Sequence, residues 1–447
     1  MGKAREVSNM NVQGSNGGPY DGYFTKRLSE VDPEVHAAIQ GELARQQDQI
    51  ELIASENIVS LPSLEALGSI MVNKTVEGYP GRRYYGGVEF ADQIETLAIE
   101  RAKALFGCSY ANVQPHSGSQ ANQAVFLAFL APGDVLLSMA LASGGHLSHG
   151  ARANISGKWL NPVQYGVRQD DGLIDYDQVG KLAREYRPKM IIAGGSAYPR
   201  VIDFARFRAI ADEVSALLLV DMAHFAGLVA GGQHPSPIGH AHVVTATTYK
   251  NLRGVRGGII LADDAAIGRR LDSAIFPGVQ GSSILNAIAA KAVCLGEALR
   301  ADFKDYARQV LDNARTLAQA LMDRGIPLVT GGTDTPLMLA DLRTLGLTGA
   351  AASNSLERAG FTCNKNAIPG DPQPPSIASG VRFGVSAGTT RGFGRNEFEV
   401  IGTLIAKVLN ALSAQASGLR EVEQGTRERV RDLCQAFPIY PSLDRPQ

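Results

Sequence analysis

A lysine and an aspartate lie at the ends of two apolar segments in the middle of the chain. Asp221 directly follows the apolar residues 216–220, and Lys250 comes shortly after the segment 242–245. Burial at the end of a strand lowers the pKa of a lysine and favours imine formation. A carboxylate in such a position can pair with a protonated ring nitrogen. The alternatives are a lysine that points to water and an aspartate that caps a helix or forms a surface ion pair.

Three further polar groups have types suited to binding a small anionic molecule. Ser117-Gly118-Ser119-Gln120 precedes an apolar helical run at 124–130, and hydroxyls and amides at a helix start bind phosphate. His146 follows two glycines and could stack on a flat ring. Arg382, in segment 379–384, could bind a carboxylate through two parallel hydrogen bonds. The alternatives are a common loop sequence, a structural histidine and a surface arginine.

Continuous apolar segments predict the elements that position these groups. Residues 190–193, 216–220 and 242–245 lack the alternation of half-exposed strands. Such segments indicate strands covered on both faces, and hence an α/β fold with a mostly parallel sheet. Ligands of these sheets bind beyond the carboxyl ends of the strands. We therefore expect four polar residues to share one rim: Ser196, Asp221, His224 and Lys250.

Helix signals and the change in pattern along the chain predict three regions. A helix should begin at Asp32-Pro33, and another should cover 92–106 and end at Gly107. From about residue 303 we expect helices, short strands near 327–341 and 381–385, and a terminal helix at 396–413. Residues 1–20 are expected to be disordered. The predicted regions are an N-terminal arm and helix at 1–46, a large domain at 47–302 and a small C-terminal domain at 303–447.

Composition argues against several classes of partner. The net charge is −1, with 19% charged residues, so no strong field favours nucleic acid or an anionic membrane. The sequence has no apolar run long enough for a spanning helix and no signal peptide pattern in its first 25 residues. Four dispersed cysteines predict reduced cytoplasmic thiols, and no metal site is expected: Cys108, Cys294, Cys363 and Cys434. Six histidines also lack metal-ligand spacing: His36, His116, His149, His234, His240 and His242.

The order of Asp221, His224 and Lys250 is typical of enzymes related to aspartate aminotransferase that use pyridoxal 5′-phosphate. Longer motifs make the resemblance more specific, and together they resemble the serine hydroxymethyltransferase family from about residue 30 to the end. These motifs are residues 51–57, the Gly-rich loop 77–87, 111–122, 220–224, 250 with 253–258, 276–278, 364–366, 379–382 and 390–392. The resemblance implies fold type I, with a large domain built on a mostly parallel sheet and a smaller α/β C-terminal domain.

The resemblance implies a role for each candidate residue. Lys250 would be the Schiff-base lysine, Asp221 would pair with the ring nitrogen, and His146 would stack on the ring. Other cofactor contacts would come from Ser117, Gly118, Ser119, Ser196, His224 and Gly281. Arg382 would bind the substrate carboxylate with help from Ser55 and Tyr85. Glu77 would handle protons at the hydroxymethyl group. Further substrate contacts would come from Thr75, Tyr249 and Arg256.

The same resemblance implies a co-substrate and an assembly. Leu141, Leu147 and Asn366 match positions that bind folate, so tetrahydrofolate is the expected one-carbon acceptor. In the family, Glu77 and Tyr85 reach the active site of the neighbouring subunit. A homodimer or homotetramer with shared active sites is therefore expected.

Four departures from the family pattern affect the substrate prediction. Tyr249 stands where the family usually has histidine, and Thr75 stands where it usually has tyrosine. Ser282-Ser283 follows Gln280-Gly281 where Gly-Pro is usual, and Asp334-Thr335-Pro336 replaces Asp-Asn-His. The resemblance implies that Tyr249 and Thr75 lie beside the substrate α-carbon. A substrate with a methyl group at that carbon, such as α-methylserine, is therefore a candidate.

Three functions remain open from the sequence. The first is a folate-dependent hydroxymethyltransferase that cleaves the Cα–Cβ bond of serine or α-methylserine. The second is an aldolase or transaldolase that works without folate on the same scaffold. The third is an inactive family member that acts as a binding partner. Retained Lys250, Asp221, Arg382 and Glu77 disfavour the third, and the retained folate positions disfavour the second.

Overall fold

The computed structural model describes residues 22–443, which divide into two units. Residues 22–47 and 440–443 belong to the first, and residues 48–439 form the second. The first unit contains α1 (Leu28–Val31) and most of α2 (Pro33–Asp48). The backbone N–H of Val35 donates to Asp32 Oδ1 at 3.0 Å, which confirms the predicted helix start. The predicted disorder of residues 1–20 falls outside the described residues.

A seven-stranded sheet forms the centre of the second unit, with the order β4-β10-β9-β8-β7-β5-β6. Three short strands precede it: β1 (Ile50–Glu51), β2 (Gly78–Tyr79) and β3 (Arg82–Arg83). Its own strands are β4 (Tyr110–Asn112), β5 (Val135–Met139), β6 (Asn161–Tyr165), β7 (Met190–Ala193), β8 (Leu217–Asp221), β9 (Val243–Thr247) and β10 (Gly258–Ala262). All pairs from β6 to β9 are parallel, and β10 pairs antiparallel with both β9 and β4. The predicted α/β fold with a mostly parallel sheet is confirmed.

Helices cover both faces of this sheet. They are α3 (Leu61–Leu67), α4 (Glu89–Phe106), α5 (Gly118–Phe129), α6 (Ile155–Trp159), α7 (Tyr176–Tyr186), α8 (Phe204–Glu213), α9 (Ala226–Ala230), α10 (Ala265–Ser273) and α11 (Leu285–Ala298). Alternate residues of β7 enter different cores: Met190 packs in the cluster that contains Phe126 of α5, and Ile191 packs in the cluster that contains Phe207 of α8. Because both faces are covered, the strand sequence is continuously apolar.

The predicted helix at 92–106 is confirmed as α4, which begins three residues earlier. It ends at Gly107, whose φ of 68° places it in the left-handed region, where glycine is favoured as a helix terminator. Short 3-10 helices cover Ile70–Asn73, Leu141–Ser143 and Arg343–Leu345, and a π-helical turn covers Ala274–Val279. Across residues 22–443, no helix has the length and apolar composition that a membrane span needs.

A second, antiparallel sheet has the order β11-β14-β13. The C-terminal elements are α12 (Ala301–Met322), β11 (Leu337–Asp341), α13 (Gly349–Arg358), β12 (Phe361–Thr362), β13 (Asn364–Asn366), β14 (Gly380–Gly384), α14 (Ser386–Arg391), α15 (Arg395–Ser413) and α16 (Leu419–Ala436). The prediction that the helix at 396–413 is the last one was wrong, because the amphipathic α16 follows it. The domain boundary at 302/303 stays a prediction.

The contact between α12 and α15 provides a test of this packing. Gly402 of α15 lies so close to α12 that an added Cβ would be 2.6 Å from Ala320 Cβ. Gly402→Ala should therefore destabilise the protein by about 1–3 kcal/mol through overpacking. Gly425 of α16 has no heavy atom within 4 Å of its Cβ position. Gly425→Ala should instead stabilise by about 0.5–1 kcal/mol through helix propensity. Urea unfolding of both variants measures this difference, and equal effects would contradict the tight contact.

Candidate active site

A cavity opens at the carboxyl ends of the parallel strands, and its empty volume is about 400 Å³ with the space open to solvent included. Its wall combines the start of α5 with the segments that follow β5, β7, β8 and β9. The lining residues are Ser117, Gly118, Ser119, His146, His149, Gly195, Ser196, Asp221, Ala223, His224, Thr247, Tyr249 and Lys250. The four residues predicted to share a rim therefore meet in one cavity, because parallel strands end at the same edge of the sheet.

Asp221 is the last residue of β8 and is 9% exposed. Its Oδ2 accepts hydrogen bonds from Asn122 Nδ2 and His149 Nε2, each at 2.9 Å. Its Oδ1 accepts from the backbone N–H of Ala223 at 3.1 Å. Burial acts to raise the pKa of Asp221, but the hydrogen bond and the charge interaction with His149 lower it well below its usual range. The side chain is thus a buried carboxylate that stays ionised.

His149 and Asn122 are site residues that sequence reasoning missed. Both bind Asp221, and Thr245 Oγ1 donates to Asn122 Oδ1 at 2.7 Å, which orients the amide. His149 lies three residues after His146, but that spacing alone carries no indication of a partner 72 residues away. Neither residue stood out by type, because a lone histidine or asparagine in the sequence is most often structural.

Lys250 is 5% exposed and follows β9 by three residues. Its carbonyl accepts a hydrogen bond from Asn57 Nδ2 at 2.8 Å, which holds the backbone at this point. Burial lowers the pKa of Lys250 to about 8; Asp221 acts to raise it, and Arg382 and Arg256 act to lower it. The amine is therefore a better nucleophile near neutral pH than an ordinary lysine.

The start of α5 presents hydroxyl and amide groups to the cavity. Ser117 caps the helix, and its Oγ accepts from the backbone N–H of Gln120 at 3.2 Å. A Cβ on Gly118 would lie 2.6 Å from Thr247 Cγ2, so only glycine fits. Lys291 holds the backbone segment that precedes this helix, because its Nζ donates to the carbonyl oxygens of Val113 and Pro115 at 2.6 and 2.9 Å. The helix N-terminus is suited to a phosphate group.

Two buried polar atoms of the cavity wall have no protein partner. Ser196 Oγ and His224 Nδ1 form no hydrogen bond with any residue of the described range. Burial lowers the pKa of His224 well below its ordinary value, with further lowering by Lys250 and Arg382, so its imidazole is neutral. Burial likewise lowers the pKa of His146 to about 4. Buried polar groups of this kind need a partner, and a bound molecule with oxygen acceptors or donors would provide one.

Arg382, on β14 of the second sheet, lies next to the cavity wall without lining it. Its Nη1 donates to the carbonyl oxygen of Ser196 at 2.7 Å, and its Nε donates to Asn364 Oδ1 at 3.2 Å. Burial lowers the pKa of Arg382 to about 10. No carboxylate in the described part of the chain lies within ion-pair distance of it. A buried guanidinium with neutral partners is a site for an anion from outside the chain.

Tyr249 forms the cavity wall next to Lys250. The guanidinium of Arg256 lies over its ring, 4.1 Å from the centroid, and Lys250 Nζ is 5.9 Å from the same centroid. The contact with Arg256 fixes the ring through a cation–π interaction. Arg256 itself is exposed and is absent from the cavity wall.

Several predicted site residues lie outside this cavity wall. They are Ser55, Thr75, Glu77, Tyr85, Leu141, Leu147, Gly281, Asn366 and Arg382. Thr75 and Tyr85 are exposed, and Glu77 is half-buried with its Oε1 3.7 Å from the Cβ position of Gly281. Leu141 and Leu147 are 44% and 50% exposed. Asn366 is half-buried on β13 and pairs with Gly380.

The cavity matches the groups of pyridoxal 5′-phosphate one by one. The ionised carboxylate of Asp221 suits a ring nitrogen, and Lys250, whose pKa is lowered, suits an aldehyde. The start of α5 suits a phosphate, and the two polar atoms without a partner in the described residues suit the remaining oxygens. With the mostly parallel sheet beneath it, this arrangement defines a pyridoxal 5′-phosphate enzyme of fold type I.

Comparison with known proteins identifies the family. A family model described as serine hydroxymethyltransferase matches residues 28–405. A serine hydroxymethyltransferase of Paramagnetospirillum magneticum is 63% identical over 422 residues, which are 94% of this chain and 99% of that protein. The corresponding protein of Rhodospirillum centenum is 62% identical over 94% of this chain and 98% of its own. Serine hydroxymethyltransferase 2 of Rhodospirillum rubrum is 59% identical over 95% of this chain and 99% of its own.

This chain belongs to the serine hydroxymethyltransferase family. The family uses pyridoxal 5′-phosphate as cofactor and tetrahydrofolate as co-substrate, so the predicted family, fold type and cofactors are confirmed. The chain is a transferase of one-carbon metabolism that acts on an amino-acid substrate and folate.

The electrostatics of Lys250 lead to a prediction for cofactor capture. Only the uncharged amine attacks an aldehyde, so the rate at which the cofactor-free protein captures pyridoxal 5′-phosphate should rise with pH. The midpoint should lie near 8, well below the 10.5 of an ordinary lysine. Stopped-flow absorbance of cofactor binding measures this profile.

Asp221→Asn is the matched control for this profile. It removes the negative charge that raises the pKa of Lys250, so the midpoint should move to lower pH. A wild-type midpoint close to that of an ordinary lysine would contradict the buried environment of the amine.

Proposed function

We propose that this protein is a hydroxymethyltransferase that accepts both L-serine and α-methyl-L-serine and passes the one-carbon unit to tetrahydrofolate. The observation that carries the reaction class is that Lys250 and Asp221 line one cavity and that Arg382 binds the backbone of Ser196 in the wall of that cavity. They provide an amine of lowered pKa, a buried carboxylate and a guanidinium without an ionic partner. The substrate range rests on Tyr249 and Thr75.

Each residue of the cavity has its own role in the proposed reaction. When bound, pyridoxal 5′-phosphate supplies the electron sink that accepts the electron pair of the broken Cα–Cβ bond. Asp221 keeps a proton on the ring nitrogen, because a carboxylate that stays ionised in a buried site attracts a positive charge. Lys250 would hold the cofactor through its side-chain amine. His146 would contact the ring, and Ser117, Gly118 and Ser119 would bind the phosphate.

Arg382 orients the substrate through its carboxylate. Its Nη1 and Nε are held by Ser196 and Asn364, so the guanidinium is presented in a fixed orientation. A carboxylate bound there is oriented by two parallel hydrogen bonds, as planar guanidinium groups favour. Ser55 is proposed to assist Arg382 in binding the carboxylate.

We propose that two subunits complete each site. Glu77 and Tyr85 lie outside the cavity of their own chain, and Tyr85 is 50% exposed. Both are assigned to the cavity of a neighbouring subunit, where Glu77 moves the proton at the hydroxymethyl group. A homodimer or homotetramer follows from this assignment, and we propose the cytoplasm as its location. The exposed Leu141 and Leu147, with Asn366, are assigned to the folate site.

The α-carbon pocket is proposed to admit a methyl group. Tyr249 lines the cavity with its ring against Arg256, and it is proposed to form the wall of this pocket. Thr75, two residues before Glu77, is exposed and is proposed to reach the pocket together with Glu77. A threonine where a tyrosine is usual leaves more space than one methyl group needs. Relief of a clash of about 1–3 kcal/mol and burial of one carbon at about 0.8 kcal/mol favour α-methylserine.

The substrate assay tests the proposal. Purified protein should cleave both α-methyl-L-serine, with release of alanine, and L-serine, with release of glycine. Tetrahydrofolate should accelerate both reactions. Thr75→Tyr should lose about one to three decades of kcat/KM on α-methylserine and keep activity on serine. Amino-acid products are quantified by chromatography.

The assay has two outcomes that would change the proposal. No activity of the wild-type protein on α-methylserine would show that Tyr249 refills the space at Thr75, and the pocket would be serine-sized. Equal rates with and without tetrahydrofolate would favour the folate-independent aldolase instead. Tyr249→His is the second variant in the same substrate assay, because it restores inside the cavity the residue that is usual in the family.

Arg382→Ala should raise KM for the amino acid strongly while the cofactor absorbance stays close to wild type. Loss of a partner from a buried ionic contact costs about 3–5 kcal/mol, which corresponds to at least two decades in kcat/KM. Arg382→Lys keeps the charge but lacks the planar fork and should recover only part of the loss. An unchanged KM in Arg382→Ala would mean that the substrate carboxylate is bound elsewhere.

A further inference from the structure

The hairpin β2–β3 separates the two residues assigned to the neighbouring subunit. Glu77 directly precedes β2 (Gly78–Tyr79), and Tyr85 is the second residue after β3 (Arg82–Arg83). The two strands pair antiparallel, with Gly78 opposite Arg83. The backbone N–H of Tyr84 donates to the carbonyl of Glu77 at 3.2 Å. The position of this hairpin therefore decides where Glu77 and Tyr85 lie.

Arg83 fastens the hairpin to α4. Its side chain is 2% exposed, although it starts on a two-residue surface strand. Nη2 donates to Glu95 Oε2 at 2.6 Å, and Nε donates to Asp92 Oδ1 at 2.8 Å. Nη1 donates to the carbonyl of Gly78 at 2.8 Å. One guanidinium thus joins both strands of the hairpin to two carboxylates of one helix.

Glu95 extends the same network to β4 and the segment that follows it. Its side chain is 1% exposed, and its Oε1 accepts from Gln114 Nε2 at 2.7 Å. The same Gln114 amide also donates to the carbonyl of Gly78 at 2.9 Å. The carbonyl next to Glu77 is consequently held by two donors, Arg83 and Gln114, and both are oriented by Glu95.

We infer that Arg83 and Glu95 are a positioning pair that sets the placement of Glu77 in the active site of the neighbouring subunit. The inference rests on the proposed function, in which Glu77 acts across the subunit interface. A buried ion pair adds little net stability compared with apolar side chains of similar size. Its hydrogen bonds are directional, however, and allow one orientation of the hairpin. Neither residue contacts the reacting groups of its own chain.

A double variant separates positioning from stability. Glu95→Gln alone would remove the buried anion of Arg83 and leave only the partly exposed Asp92 as its ionic partner, and breaking a buried ion pair strongly destabilises proteins. Arg83→Met together with Glu95→Leu removes both charges and keeps the apolar volume. Arg82→Met is the matched control, because Arg82 is exposed on the same strand and makes none of these contacts. The double variant should unfold at a temperature close to that of the wild type.

The hairpin should become mobile without its ionic anchor. In the cofactor-free protein, amide hydrogen exchange of residues 78–84 should accelerate at least about tenfold in the double variant, because the carbonyl of Gly78 and the strand pairing lose their anchors. Exchange in β8 (Leu217–Asp221) should not change. Unchanged exchange in 78–84 would overturn the inference.

The holoenzyme of the double variant should lose kcat by about a hundredfold, the order expected when a catalytic group is misplaced by ~1 Å. KM for the amino acid and the cofactor absorbance should stay within a few fold of wild type, because Arg382 and the cavity are intact. Wild-type kcat in the double variant would overturn the inference.

Mixed oligomers decide in which subunit the defect acts. A Lys250→Ala subunit has no active cavity but carries an intact Glu77 hairpin. Paired with the double variant, it completes one site from the Lys250 of one chain and the hairpin of the other. That mixture should be as active as the mixture of Lys250→Ala with wild type.

A parallel mixture of Glu77→Gln with Lys250→Ala distinguishes the two possible failures. If it recovers activity and the double variant does not, the shared site stands and the inference about Arg83 and Glu95 is overturned. If neither mixture recovers activity, the shared site itself is wrong, and the positioning role of Arg83 and Glu95 is overturned with it. Recovery in both mixtures supports the inference.

Discussion

A buried carboxylate at the end of β8 (Leu217–Asp221) is the constraint on which the active site depends. Asp221 is removed from water, and an ionised carboxylate in that position is costly unless hydrogen bonds replace its hydration. His149, Asn122 and the backbone of Ala223 supply them. These partners come from the loop after β5, from α5 and from the turn after β8. The charge that a ring cofactor requires thus exists only when three separate segments pack against one strand end.

The protonation of the neighbouring lysine depends on this carboxylate. Burial and Arg382 lower the pKa of Lys250, and Asp221 raises it, with a resulting value of about 8. Without Asp221 the amine would be even less basic, and without burial it would remain protonated at neutral pH. Arg382 comes from the second sheet and is held by the backbone of Ser196, in the loop that follows β7 of the first sheet. The substrate carboxylate is therefore proposed to bind where the two sheets meet.

The predicted site divides into residues inside and outside the cavity of one chain. Tyr249 and Lys250 line it, whereas Glu77, Tyr85 and Thr75 lie on or beside a hairpin anchored away from it. This division supports a shared active site, since those residues otherwise have no reacting group to contact. The anchor of the hairpin is an ion pair buried within the chain that carries it. Under the proposed shared site, catalysis across the interface would depend on packing within each subunit.

The family, the fold class and the residues of the strand-end rim were all predictable from the sequence. Apolar runs that lack alternation indicate covered strands, and the carboxyl ends of parallel strands must meet, so Asp221, His224 and Lys250 were predictable from local pattern. Only the tertiary structure identified His149 and Asn122, which lie 72 and 99 residues from Asp221. It also decided which groups are buried and how their pKa values shift. The physical reason is that hydrophobic periodicity is a local property of the chain, whereas burial and charge interactions depend on distances that packing alone creates.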